Sequence, residues 1–292
     1  MPDWPELFAA LRQYDVFADD SLRPHSVGGG DIASAWRVDA GTQTIFLKTA
    51  AAASIGVFEG EAEGLDELRQ AGAVRVPGHI ACGTAGFSSF LALEWIVAEP
   101  PGESEERLLG RALAAQHRCC KDRFGWHRDN TIGSTPQHNR WSDDWVTFFT
   151  DQRLGFQLRL AADKGFGGEL QSGGATLLAS CGRFFADYRP DSSLLHGDLW
   201  GGNWTASGGQ PVIFDPAVYY GDRETDIAMT RLFGGFGPAF YRAYEDAWPL
   251  PAGHESRLRL YQLYHVLNHL NLFGRSYLGR ALALLRELNR IR

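Results

Sequence analysis

The chain is short of several things, and each shortage removes a class of function. Among its 292 residues only four are cysteines, Cys82, Cys119, Cys120 and Cys181. They show no CxxC spacing, and the adjacent pair is badly placed for a disulfide. This predicts reduced, buried or half-buried thiols in a cytoplasmic protein rather than a stapled or zinc-held scaffold. Basic charge is not in surplus: the net charge is -7 and the pI about 5.7. A generally basic face for nucleic acid is therefore not expected. No apolar run approaches the roughly 18–20 residues of a membrane span. The opening "MPDWPELFAALRQYDVF" lacks the basic segment and apolar core of a secretion leader. Internal repeats and low-complexity tails are also missing. What remains is 44% hydrophobic and 22% charged, an ordinary globular composition with enough chain for one large core or two smaller lobes.

The texture changes along the chain. "SAWRVDA" and "QTIFLKTA" alternate as strands do and are joined by the turn signal "AGT". "VFEGEAEGLDELRQAG" reads as a helix stopping at Gly72. "VRVPGHIACG" and "SFLALEWI" resume strand character before the linker "VAEPPGES". Beyond it, "SEERLLGRALAAQHRCC" is helical with Ser104 as its N-cap. Helices run to about Tyr188, followed by a loop, a strand, the glycine turn "SGG" and a strand ending at Asp215. The last third is mostly helical and includes Ser256–Phe273. The reading is α+β and bilobal: residues 1–96 form a small β-rich lobe with one helix, and residues 97–292 a larger helical lobe. A cleft between lobes suits a ligand.

Chemistry concentrates in "LLHGDLWGGN". Asp198 and Asn203 have the D-x-x-x-x-N spacing by which kinases place a proton-accepting aspartate and a metal-binding asparagine on one loop. Asx-rich turns share that spacing. Asp215, in "PVIFDP", adds a second oxygen ligand suited to magnesium, or else caps a turn. "SVGGGDIASAWRV" offers Gly28, Gly29 and Gly30 as a turn whose amides can approach phosphate, although no GK[ST] follows. Lys48 ends "TIFLK", where kinases keep a phosphate-pairing lysine. Its partner on the next helix is Glu59, Glu61 or Glu63. Phe58, Ala62, Leu65 and Leu68 define the buried face. At about 100° per residue Glu61 lies roughly 45° from its centre and the other two far round the helix. Glu61 is chosen, and Glu59 and Glu63 are assigned to a solvated face.

"LLHGDLWGGN", "VIFDPAVYYGDRETDIAM", "FGWHRDNTIGSTPQ", "FEGEAEGL" and "LYQLYHVLNHLNLFG" resemble, in order and over nearly the whole chain, the signature blocks of the fructosamine kinase (ketosamine-3-kinase) family. Aminoglycoside phosphotransferases and choline kinases share the HGD…N and Asp pattern. They usually lack the Trp after HGDL and the "YYGDRE" block. The resemblance implies a protein-kinase-like fold and an enzyme with ATP and Mg2+ as cofactors. It would phosphorylate the C3 hydroxyl of a small or protein-bound ketosamine, giving an unstable product that frees the amine, a deglycation repair. It implies Asp198 as the catalytic aspartate and Asn203 and Asp215 as metal ligands. Lys48, held by Glu61, would meet the ATP phosphates beneath Gly28, Gly29 and Gly30. Leu93, Glu94, Trp95 and Ile96 would form the hinge against adenine. Trp200 either packs beside the sugar or shapes the loop, and His196 supports it. Some members carry a redox-active cysteine after the glycines; here Asp31 stands there, which argues against a thiol switch.

Other residues receive structural readings. Asp226 would brace the catalytic loop from a helix start. Asp222, Arg223 and Glu224 either contact substrate or form a surface ion cluster. His265 and His269 lack the HExxH glutamate of a zinc site, and the polar face of their helix is read as lining a sugar cleft. Two rival functions stay in view: an aminoglycoside- or choline-type small-molecule kinase, and an ATP-binding pseudokinase. The second sits badly with intact Lys48, Asp198, Asn203 and Asp215. Oligomeric state is left open.

Overall fold

The computed structural model describes residues 2–14, 22–28, 33–40 and 43–291. Gly29, Gly30 and Asp31 of the glycine run and most of the "AGT" turn lie outside the described residues. Helix α1 (Trp4–Arg12) starts at Asp3, whose side chain accepts from Glu6 N, with Pro5 in its first turn. It packs on an antiparallel sheet of β1 (Leu22–Val27), β2 (Ser34–Ala40), β3 (Gln43–Ala51), β4 (His79–Ala85) and β5 (Ser88–Glu94). The spatial order is β1-β2-β3-β5-β4. Side chains of a strand alternate between faces. On β3, Ile45 and Leu47 are buried in the cluster that also holds Leu7 and Leu11 of α1. Lys48 therefore emerges on the other face, opposite Leu91 in register.

That face is covered by α2 (Ile55–Ala71), which buries Phe58, Ala62, Leu65 and Leu68 as its periodicity demands. The helix stops at Gly72, whose φ of +66° lets its N–H turn back to Arg69 O. Helix α3 (Glu103–His117) begins two residues earlier than a cap at Ser104 implies. Its cap is Gly102, not Ser104: the Glu105 carboxylate reaches back to Gly102 N at 2.9 Å, and Ser104 sits inside the first turn, donating to Glu105 at 2.8 Å. A small hairpin, β6 (Asn130–Ile132) and β7 (Thr135–Gln137), precedes α4 (Trp145–Phe149), a π-helical turn (Thr150–Leu154), α5 (Gly155–Asp163) and α6 (Glu169–Ala179). Strands β8 (Ser193–Leu195), β9 (Trp204–Ser207), β10 (Gln210–Ile213) and β11 (Tyr219–Gly221) follow. β9 pairs with β10 and β8 with β11. The first two leucines of "LLHGDLWGGN" thus finish a strand rather than lie in a loop, and Asp215 stands two residues past β10. Helices α7 (Glu224–Thr230), α8 (Pro238–Ala247), α9 (His254–Phe273) and α10 (Leu278–Arg290) complete the chain.

The β-rich first part and helical remainder share one continuous apolar core, running from Leu65, Leu91 and Leu93 through Leu195, Val218 and Tyr261 to Leu288. Two expectations need correction. The polar residues of α9 do not line an open cleft. Most are buried and bonded to neighbours, Gln262 to Ala228 O at 3.4 Å and Asn268 to Gln157 at 3.1 Å, because α9 is enclosed by α5, α7 and α10. Cys120 is exposed rather than covered, at the turn after α3; all four thiols are free. Among the described residues, no helix is long and apolar enough to cross a membrane.

Candidate active site

Lys48 meets two carboxylates. Its Nζ lies 2.7 Å from Glu61 Oε1 and 2.6 Å from Asp215 Oδ1. Burial alone would depress this lysine, but the charges of Asp215 and Glu61 outweigh it and hold the ammonium above its ordinary value. The lysine side chain is only 12% exposed, whereas Asp215 is 46% exposed and keeps an open side. Asp215 is also the one non-glycine with positive φ (+56°) among the described residues. Aspartate tolerates that left-handed conformation better than most residues, and such strain gathers at working sites.

The loop of residues 196–203 is fixed at both ends, by β8 on β11 and by β9 on β10. Its entry turns on Gly197, with φ +85°. A Cβ there would fall 2.0 Å from Ala217 O, so backbone excludes any side chain. Asp226 of α7 holds the turn from below, accepting from His196 N at 2.7 Å and Gly197 N at 2.9 Å. Burial would raise Asp226, but hydrogen bonds from His117 and the loop N–H groups hold it below its ordinary value, ionised. His117 Nε2 therefore donates to Asp226 (3.1 Å), and its Nδ1 accepts from Tyr244 OH (2.8 Å). Arg223 Nη1 donates to the same hydroxyl at 3.0 Å. His196 supports the loop internally: its Nε2 donates to Phe214 O at 2.9 Å, which leaves Nδ1 to accept from Asp198 N at 3.3 Å.

These contacts leave the Asp198 carboxylate half-buried, with no donor among the described residues reaching it. Burial, then the charges of Asp215 and Asp226, push it up to about 7. Asn203 Nδ2 donates to Asp198 O at 2.8 Å, which turns the amide so that Oδ1 stays unengaged. Gly28 is exposed just after β1. Leu93 is buried, and Glu94 N is already bonded to Gly78 O at 2.7 Å. Trp95 and Ile96 leave the strand half-buried.

A model of the fructosamine kinase family matches residues 7–290. The chain belongs to the fructosamine kinase family. It is 42% identical over 273 residues to the Arabidopsis thaliana chloroplastic protein-ribulosamine 3-kinase, covering 91% of this chain and 82% of that one. A Synechocystis protein named provisionally as a ketoamine kinase is 41% identical over 268 residues, covering 91% and 90%. A crystal structure from Haemophilus somnus, described provisionally as a fructosamine-3-kinase, superposes with a TM-score of 0.90 at 27% identity, covering 98% of this chain and 97% of that one. The fold is therefore kinase-like, and this fructosamine kinase family member is a phosphotransferase acting on a hydroxyl group.

Within this fructosamine kinase, several residues sit differently from expectation. Asp222, Arg223 and Glu224 do not form a surface cluster; all three are buried. Asp222 accepts from Tyr188 OH and Tyr261 OH at 3.0 and 2.6 Å, and Glu224 forms a two-pronged pair with Arg257 at 2.8 and 2.9 Å. The "YYGDRE" block thus enters the core because β11 leads straight into α7. Glu59 and Glu63 are not merely solvated, since Arg128 pairs with both. His269 Nδ1 bonds the carbonyl of His265 at 2.9 Å, so the two rings are not a ligand pair. Trp200 is 41% exposed, and its ring folds over Gly202, where a Cβ would meet it at 2.3 Å. His117, Tyr244 and Gly197 were not singled out from the sequence. Only Gly197, a glycine inside a polar motif, carried a local signal.

Burial holds His117, His196 and His265 below the ordinary 6.5, His265 down to about 3. Below pH 6.5 the unfolded chain therefore binds more protons at these positions than the folded one. Stability should fall as pH drops through 6.5, approaching about 1.4 kcal/mol per pH unit for each histidine that stays neutral. Urea unfolding between pH 7.5 and 5.5 checks this; a flat profile contradicts it.

Proposed function

We propose that this chain is an ATP-dependent ketosamine 3-kinase, and that residues 1–96 and 97–292 act as two lobes closing on the nucleotide. The observation that carries this reading is the joint placement of Lys48 on Glu61 and Asp215, beside a loop whose one unbonded carboxylate is Asp198. In the proposed roles, Lys48 shifts part of its charge to the ATP phosphates while Glu61 retains it. Gly28, Gly29 and Gly30 cover the phosphates, and Leu93, Glu94, Trp95 and Ile96 line the adenine. Because Glu94 N is already bonded, the backbone of Trp95 and Ile96 is the part left to read the base. Asp198 orients the C3 hydroxyl of the sugar and accepts its proton as the bond to phosphorus forms. Trp200 offers its exposed ring edge to the sugar–amine adduct.

The donor set fits magnesium: Asp215 has an exposed side and Asn203 Oδ1 is unengaged, both hard oxygens. Magnesium ordinarily needs only one or two protein oxygens beside phosphate and water. Asn203 and Asp215 would hold it, and it would supply neutralisation of phosphate charge. The protein's own contribution is positioning and electrostatics, which dominate phosphoryl transfer.

Cytoplasmic deglycation is the physiological role we assign, since phosphorylation at C3 makes the adduct release its amine. The test is magnesium- and ATP-dependent phosphorylation of fructosyl-lysine and ribulosyl-lysine in parallel, beside an aminoglycoside panel. Turnover of at least one ketosamine is expected. Turnover of aminoglycosides alone, or ATP binding without any turnover, refutes the assignment. Chelation with EDTA should abolish turnover and added Mg2+ restore it.

A further inference from the structure

Helix α2 carries its glutamates on two sides. At about 100° per residue, Glu59, Glu63 and Glu67 follow one line, and Glu61 projects roughly 160° away from Glu59 and Glu63. The side chains that bond to that line come from beyond residue 97. Arg128 Nη2 lies 3.2 Å from Glu59 and its Nη1 bonds Glu63. His127 Nε2 lies 2.7 Å from Glu63, and Lys121 Nζ 3.1 Å from Glu67. Tyr220 OH also donates to Glu67, at 2.5 Å. On the same side Gly60 and Gly64 come so close that a Cβ would lie 3.2 Å from Asn130 Cβ and from Val218 Cγ2. Helix α2 thus packs on β4 and β5 with one side and is tied to residues beyond 97 by the other.

We propose that Arg128 is a positioning residue for the phosphoryl transfer. One guanidinium spans two carboxylates a turn apart, which fixes the rotation of α2 about its axis. Glu61 is thereby kept aimed at Lys48 without a regulatory partner. The inference rests on the kinase reading of the Lys48–Glu61 pair. Arginine suits this task because its planar fork serves two carboxylates at once, where lysine offers a point charge. The pairs are partly exposed, Arg128 by 26%, Glu59 by 49% and Glu63 by 43%. Ion pairs so exposed add little to folding stability, so orientation is the larger part of what Arg128 contributes.

The test compares the full chain with Arg128→Gln and with Arg128→Lys, which keeps the charge but not the planar fork. Nucleotide affinity is measured by calorimetry, kcat and ketosamine KM by steady-state assay, and Tm by melting. Arg128→Gln should weaken ATP binding and lower kcat together by about 10- to 100-fold, the scale of a small misplacement. Its Tm and ketosamine KM should stay near wild type, and Arg128→Lys should recover only part of the loss. Wild-type ATP affinity and kcat in Arg128→Gln, loss only in step with a fallen Tm, or full recovery by the point charge of Arg128→Lys would each overturn the proposal. A wild-type chain that neither binds nor turns over ATP overturns the kinase reading itself.

Discussion

Asp198→Asn is expected to lower kcat by ~10²–10⁴, the usual contribution of a positioned general base, with the KM for ATP nearly unchanged. The substitution keeps shape and volume, so it isolates the proton-accepting oxygen. Stability gives an independent reading. The Asp198 carboxylate has no hydrogen-bond donor among the described residues and is pushed up to about 7 by burial and by Asp215 and Asp226. Removing its charge relieves repulsion and breaks no bond, so the Asp198→Asn variant should melt at or above the wild-type temperature, as happens where activity and stability compete. The pH profile follows the same logic. The base form is needed, so kcat/KM should fall as pH drops through the Asp198 pKa. A cation on Asp215 withdraws part of the repulsion, placing that limb at or below about 7. Near-wild-type turnover in the variant would remove Asp198 from the mechanism.

Asp226→Ala should cost about 3–5 kcal/mol of stability, the scale for removing one partner from a buried charged network. Two loop N–H groups at 2.7 and 2.9 Å and the His117 Nε2–H at 3.1 Å would lose their acceptor inside the core. Activity of the folded fraction should fall as well, because the turn at Gly197 aims Asp198. Asp226→Asn is the milder companion: it keeps one oxygen but points an NH2 at a donor. The pH dependence has a definite sign. The native pKa of Asp226 lies below its ordinary 3.8, so the unfolded chain takes up its proton first on acidification. The stabilisation is complete above the ordinary value and is lost as pH falls towards the depressed native one. Denaturant unfolding of wild type and Asp226→Asn should therefore differ most near neutrality and converge below pH 4; a constant difference contradicts the assignment. His117→Phe, which removes one donor and frees the Tyr244 hydroxyl, should weaken the same network less.

How much of this was legible beforehand depended on whether a contact was local. The period-two alternation of β3 put Lys48 on the face away from Ile45 and Leu47, and the 3.6-residue stripe of α2 separated Glu61 from Glu59 and Glu63. The spacing from Asp198 to Asn203 and the short β9–β10 hairpin brought Asp215 into range. Each inference used neighbours on one element or across one turn. The cap of α3 failed because Ser104 and Gly102 were both reasonable starts, and the Glu105 side chain decided between them. The "YYGDRE" block failed because charge suggests a surface, whereas Tyr188, Tyr261 and Arg257 supply buried partners from 33 to 39 residues away.

By itself, then, the sequence determined which side chains would face one another across β3, α2 and the loop of residues 196–203, because strand and helix periods act over a few residues and need no distant partner. Only the tertiary structure decided what holds that arrangement. His117 reaches Asp226 across 109 residues and Tyr244 across 127, and Arg128 reaches Glu63 across 65. No local preference encodes such meetings. They arise because α3 packs on α8 and α7 on α9 within one shared apolar core, and because Gly60 and Gly64 let α2 come close to Asn130 and Val218.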